Sequence, residues 1–301
     1  MKVIKPVTFT TSMLVSSTAT ESYPTYNPST TYAKDTIVYY QTELYISLVN
    51  SNVGHQPDLT ASATYWLEYG PGNVHAMFDN QVSTQTVTTS PLTVWIAPGQ
   101  RINSLAVLNV EGATSCTIEV RDGSTTGTIV YTKTINMDAT IIADWYAYFY
   151  EPYDLKSTII LTDIPPYLNP YIKINLTNSS GNIKCGNVSF GTVYDLGNTQ
   201  MGATSGIIDY STKTTDATYG TTTFVKRAFS KRMEVSLFVP NSQINKVQIV
   251  LQDIRATPCV WIGTDYSGYE TLTMFGFYKD FTFEIAYPTY SLCKLQVEGL
   301  I

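Results

Sequence analysis

Apolar and polar positions alternate with the period of a β-strand along most of this chain. Two short runs, Thr36–Tyr40 and Glu43–Leu48, lie on either side of Gln41-Thr42 and predict a hairpin with a tight turn. Seven further runs predict strands: Leu92–Ile96, Ser104–Val110, Ser115–Val120, Thr128–Thr134, Thr158–Leu161, Tyr171–Leu176 and Asn187–Gly191. Pro98-Gly99, Glu111-Gly112, Asp122-Gly123, Pro165-Pro166 and Ser180-Gly181-Asn182 separate them. Short alternating strands with such punctuation predict a sandwich or jelly roll.

The pattern changes beyond residue 196. Gly206–Tyr210, Thr222–Phe229 and Met233–Val239 predict strands. Between Asn241 and Arg255 the period becomes helical, with Ile244, Val247, Leu251 and Ile254 on one face. Asn241 or Ser242 can cap this helix, and Pro258 lies just past its end. Cys259–Gly263 predicts a buried strand, and Gly276–Phe283 and Leu292–Val297 close the chain.

These patterns divide the sequence into four parts. Residues 1–22, rich in Thr and Ser, predict an extended arm that adds to a neighbour's sheet edge or is a loose tail. Residues 23–72 predict a small β-module, ended by the Gly70-Pro71-Gly72-Asn73 linker. Residues 73–196 predict the β-sandwich, and residues 197–301 an α+β assembly domain with one helix. The fold class is mainly β.

Composition sharpens this picture. The 301 residues are 44% hydrophobic and only 14% charged, and 23 tyrosines stand with threonine where charge is usual. Such a surface suits lasting contacts with other subunits, so a homo-oligomer is expected. A net charge of −6 argues against nucleic acid as partner. No run approaches the roughly 18 apolar residues of a membrane span. Pro6 and several Thr break the N-terminal apolar run, so no signal peptide is expected. Cys116, Cys185, Cys259 and Cys293 lie in apolar or β-branched surroundings without a C-x-x-C pair, which predicts buried free thiols.

Catalytic motifs are missing. The two histidines, His55 and His75, form no H-x-x-x-H pair, and neither a G-x-S-x-G elbow nor a P-loop occurs. Glu151 and Asp154 flank the aromatic stretch Trp145–Tyr153, a pairing a glycosidase could use. Acids in strand-to-strand loops are more often solvated, and no enzyme and no cofactor are expected. Asp79, Asn80 and Asp122 have donors suited to Ca²⁺, but an Asx turn accounts for them more simply, so no metal is expected.

Within residues 23–72, Tyr32, Tyr40, Tyr45 and Trp66 are too many aromatics for so small a core. Some should stand on the surface, where flat rings suit the apolar faces of sugars. The run T-T-Y-x-x-D-x-(I/V)-x-Y-x-x-x-L-Y, followed by N-x-G-x-x-P and Trp66, resembles the small carbohydrate-binding modules of chitinases and cellulases. The same module recurs in tail and fibre proteins of tailed bacteriophages. Lys34 and Gln41-Thr42 stand where that family often has glycine. The resemblance implies a glycan platform of Tyr32, Tyr45 and Trp66, with His55 or Gln56 at its rim; the alternative is that these aromatics only brace a small β-module without disulfides and that His55 orders its loop.

Two further resemblances extend the reading. Ala76–Asn80, Val94–Gly99, Ile102–Asn109, Cys116–Gly123 and Cys185–Gly191 follow the order of a galactose-binding-like jelly roll. Ile207–Ser211, Tyr219-Gly220, the Lys226-Arg227 pair and Gly276–Phe281 are similar to structural proteins of tailed-phage virions. Together they imply a virion component of the tail, tail tip or fibre attachment region, made in a host cytoplasm. Its partners would be other virion proteins and cell-surface polysaccharide. The alternative is a secreted carbohydrate-binding accessory protein or a non-catalytic subunit of a polysaccharide-degrading system.

Overall fold

The architecture comes from a computed structural model. It describes residues 1–140, 142, 144–150, 154–216, 218–266, 268–285 and 287–300. Strands β1 (Lys2–Pro6) and β2 (Leu14–Ser17) come first, and β3 (Ile37–Tyr40), β4 (Glu43–Ser47) and β5 (Trp66–Pro71) build the small module. Next are β6 (Thr86–Thr89), β7 (Leu92–Ile96), β8 (Ser104–Glu111), β9 (Ser115–Asp122), β10 (Ile129–Asn136) and a short helix α1 (Trp145–Tyr150). Strands β11 (Thr158–Leu161), β12 (Pro170–Thr177) and β13 (Asn182–Asp195) follow. The last third holds β14 (Asn198–Thr199), β15 (Thr204–Asp209), β16 (Thr212–Thr215), β17 (Thr222–Val225), β18 (Phe229–Pro240), helix α2 (Ile244–Asp253), β19 (Cys259–Ile262), β20 (Thr273–Glu284) and β21 (Tyr290–Gly299).

The protein is mainly β, and the ladders between these strands are antiparallel. One sheet of 11 strands runs β11-β8-β13-β1-β19-β20-β21-β18-β14, with β6 on β13 and β15 on β18. A second sheet, β10-β9-β12-β7-β2, packs against the β8–β13 half of the first. The sandwich core between them follows the alternation read from the sequence. Ile118 and Val120 of β9 and Ile172, Ile174 and Leu176 of β12 meet Leu105 and Val107 of β8 and Phe190 of β13. Each such fully buried aliphatic side chain contributes about 1.5–3 kcal/mol.

Residues 1–22 are not a free arm. β1 lies between β13 and β19 in the middle of the large sheet, pairing Lys2–Pro6 with Gly191–Asp195 on one side and Lys2–Ile4 with Val260–Ile262 on the other. β2 closes the edge of the second sheet against β7. The sequence K-V-I-K-P alternates like any buried strand, so Val3 faces the α2 side and Ile4 the opposite one. One strand thereby joins the sandwich half of the sheet to the C-terminal half. Gly191 permits this close pairing, because a Cβ there would overlap the carbonyl oxygen of Lys5.

In the C-terminal half α2 covers the sheet. Val247, Leu251 and Ile254 are buried with Val3, Leu237, Trp261 and Leu295. The expected side-chain cap is absent. A 3-10 turn over Asn241–Gln243 precedes α2, and the Asn241 amide donates instead to the carbonyls of Tyr287 and Pro288. Its Oδ1 accepts the Ser291 hydroxyl, so Asn241 fastens the helix start to the approach of β21. α2 is the one helix expected for residues 197–301; α1, among the described residues, is a further helix outside that part, and its sequence carries no helical apolar period. The predicted strand Thr222–Phe229 also breaks in two, with β17 ending at Val225 and β18 starting at Phe229. The four cysteines are free and buried, as their surroundings predicted.

Candidate functional site

The small module brings the expected platform residues together, but as its core. Tyr32, Tyr45 and Trp66 are 6%, 9% and 3% exposed and pack with Val38. Trp66 meets the rings of Tyr32 and Tyr26 edge-on at 5.4 and 5.9 Å. The Tyr32 hydroxyl accepts the Asn27 amide at 2.7 Å, and Trp66 Nε1 donates to the His55 carbonyl at 2.8 Å. A unit this small, with neither disulfide nor long strands, gains enough buried area only from large rings. Val38, Tyr45 and Trp66 share the covered face of the β3-β4-β5 sheet, while Leu67 and Tyr69 of β5 are turned to solvent.

His55 and Gln56 order the loop before Trp66. The His55 ring stacks on Tyr65 at 3.4 Å and 11°, and its Nδ1 lies 3.0 Å from Asn52 Oδ1. Asn52 is buried and donates to Ser47 Oγ and to the Tyr65 carbonyl. Gln56 donates to Asp58 at 2.7 Å. Beside them, the Tyr45 hydroxyl is pushed up by burial and by Glu68, Glu43 and Asp58. Glu43 is raised by burial and by Glu68 and Asp79.

The other sequence candidates separate. Asp79 closes an Asx turn, its Oδ1 accepting the Gln81 amide at 2.8 Å, and burial raises its pKa. Its carbonyl accepts Asn187 Nδ2 at 2.8 Å. Asp122 ends β9 opposite Pro170. Among the described residues, no three His, Cys, Asp or Glu side chains gather as a metal would require. Glu151 lies outside the described residues, and Asp154 donates its amide to Thr140 Oγ1.

Two features escaped the sequence reading. The first is α1. Within six residues Trp145, Tyr146, Tyr148, Phe149 and Tyr150 turn their rings to solvent, from 58% exposed for Tyr148 to 78% for Trp145. Trp145 and Phe149 lie nearly parallel, with centroids 6.2 Å apart and planes 19° apart. Tyr146 and Tyr150 pair at 5.2 Å. Positions four apart on a helix share a face, which makes two ring pairs from one hexapeptide. The composition W-Y-A-Y-F-Y was the available signal, but nothing in it says that the rings stay uncovered.

The second is a groove. The large sheet curls so that β8 and β11 on one flank face β18, β20 and β21 on the other. Two adjoining cavities of about 350 and 400 Å³ lie between the flanks and share Thr158 and Thr273. Leu108, Phe275 and Leu300 give the first an apolar floor. Asp265, Tyr266, Tyr269 and Glu270 make the second polar, with Lys2 pairing Asp265 at 2.7 Å.

No family model and no curated protein matches this chain. Among solved structures it is similar to chitosan-binding module 1 derived from a chitosanase/glucanase of Paenibacillus sp. IK-5. The two are 19% identical, with a TM-score of 0.26 over 40% of this chain and 83% of that one. A similarity this distant identifies no family and fixes no ligand.

Proposed function

We propose that this protein is a non-catalytic carbohydrate-binding protein, and that the aromatic face of α1 is its glycan contact. The observation that carries the reading is the exposure of five rings in six residues. Exposed aromatic patches of this kind mark contact surfaces. Pyranose rings offer flat C–H faces to such rings, and the three tyrosines add hydroxyls for sugar hydroxyls. A lipid surface is a poorer fit. The neighbouring charges are Asp144, Glu151 and Asp154 against Lys156, whereas interfacial helices carry Lys and Arg.

Each stacked ring contributes on the order of 1 kcal/mol, so one chain binds weakly and many copies are needed for firm adhesion. The test is retention of the full chain on insoluble polysaccharides and on a glycan array, displayed multivalently. The wild type should be retained on at least one polysaccharide. The double substitution Trp145→Ala with Phe149→Ala should abolish retention without lowering the melting temperature. Equal retention of the variant would exclude α1 as the contact, and no retention of the wild type on any glycan would exclude the function.

A second reading is a structural component of a tailed-phage virion, which would display the chain in many copies. It draws on the sequence resemblance and on the exposed β16–β17 hairpin, a feature suited to contacts between subunits. Mass spectrometry of purified particles tests it, and absence of the chain from them would sink it.

A further inference from the structure

The groove and the β16–β17 hairpin lie next to each other in the chain, and each is incomplete. Among the described residues β11 ends the large sheet and pairs on one side only, with β8, and its Thr158 and Ile160 line the groove. Such an edge is a template for another strand. The hairpin has the reverse problem. Its eight strand residues are all exposed, and among the described residues β16 and β17 pair with each other and with no other strand. A two-stranded hairpin is marginal alone in water. Yet this one carries Phe224 at 72% exposed, and its turn carries Tyr219 at 82%. Beyond β16, Asp216 Oδ1 accepts the amides of Thr218 and Tyr219 at 2.6 and 3.0 Å.

We propose that β17 of a second copy of this chain adds to the free edge of β11, with its Phe224 seated in the apolar cavity beside Phe275. Three matches point to this occupant. Both strands are four residues long, Thr222–Val225 and Thr158–Leu161. The segment T-T-F-V is β-branched and aromatic and carries no charge, as an added strand requires. The hairpin and its foot hold Lys213, Lys226 and Arg227 against Asp209 and Asp216, while the polar cavity holds Asp265 and Glu270 against Lys2. Lys231 is the charged residue that lines the apolar cavity and lies two residues into β18. The contact is head-to-tail, since hairpin and groove are different surfaces, so it propagates into a ring or a filament. It does not depend on glycan binding.

The test is self-association of the full chain by sedimentation velocity, up to about 200 µM, a range that detects contacts of micromolar strength. Wild type should form dimers and larger species with rising concentration. Phe224→Asp should weaken association at least about tenfold, or about 1.4 kcal/mol, with an unchanged circular dichroism spectrum. A second arm uses cysteine capture. Chains carrying Thr222→Cys should form a disulfide with chains carrying Thr158→Cys when mixed under a mild oxidant, since Thr222 shares the face of Phe224 and Thr158 lines the groove, and neither should dimerise efficiently alone. The native thiols are buried and do not compete. A wild type that stays monomeric, a Phe224→Asp chain that associates normally, or a mixture that cross-links no better than its components would each overturn the proposal.

Discussion

The indole nitrogen of Trp66 donates to the carbonyl oxygen of His55 at 2.8 Å, so the last residue of the module's pattern holds the loop that precedes it. This bond makes both residues part of the module's internal bracing. Trp66→Phe keeps a ring in the core and removes the donor, leaving the His55 carbonyl without this partner. It should destabilise the module by about 1–3 kcal/mol. Hydrogen exchange across residues 23–72 should rise while exchange in the sandwich stays unchanged. Unaltered exchange would show that the bond does not close the loop.

Gln41 turns the hairpin between β3 and β4 with φ at 58°, a left-handed conformation that costs a side chain about 1–2 kcal/mol. Glycine adopts it without that penalty but loses more chain entropy on folding. Gln41→Gly should therefore stabilise the module by about 0.5–1 kcal/mol. A shift of the urea midpoint to higher concentration checks this, and a lower midpoint would mean that the Gln41 contact with Asp58 matters more than the backbone.

Gly191 sits where β13 and β1 press together, and a Cβ there would strike the Lys5 carbonyl oxygen. Gly191→Ala should cost about 3 kcal/mol or more, among the larger effects of single substitutions. Since β1 joins both halves of the sheet, the sandwich and the α2 half should be loosened together. Exchange protection lost in β8 but retained in β19 would contradict that coupling.

Burial pushes the thiols of Cys116, Cys185 and Cys259 up to about 12 and that of Cys293 to about 11, from an ordinary value of 9.0. The unfolded chain releases these protons first. Their contribution to stability is complete below pH 9 and is lost as pH rises from there toward the folded values. At pH 8 a thiol reagent should leave all four unreacted in the native protein and label all four in denaturant. Rapid native labelling of any of them would reveal an opening of that core.

Much of the fold is written in local pattern. Alternation in T-I-E-V and I-K-I-N-L places Ile118, Val120, Ile172, Ile174 and Leu176 in one core, because a pleated strand can bury only every second side chain. The spacing of Val247, Leu251 and Ile254 likewise sets the covered face of α2, and apolar neighbours make the cysteines interior. Period two names two faces without saying which is covered. Tyr45 and Trp66 went inside, and Leu67 and Tyr69 outside, because Tyr26, Tyr32 and Tyr65 from the flanking loops close over one face only.

Long-range pairing is equally silent in the sequence. β1 reads as a short strand anywhere, and its central place depends on Gly191–Asp195 and Val260–Ile262, distant segments that meet only in the folded sheet. The curl of that sheet makes the groove, and among the described residues no strand lies beyond β11, so its edge stays open. Whether the rings of α1 are buried depends on what packs above them, and sequence alone cannot count neighbours that come from elsewhere in the chain. The strands and cores were thus determined locally by side-chain periodicity. The contact surfaces were decided by tertiary structure, because exposure is a property of the whole assembly of elements and not of any one of them.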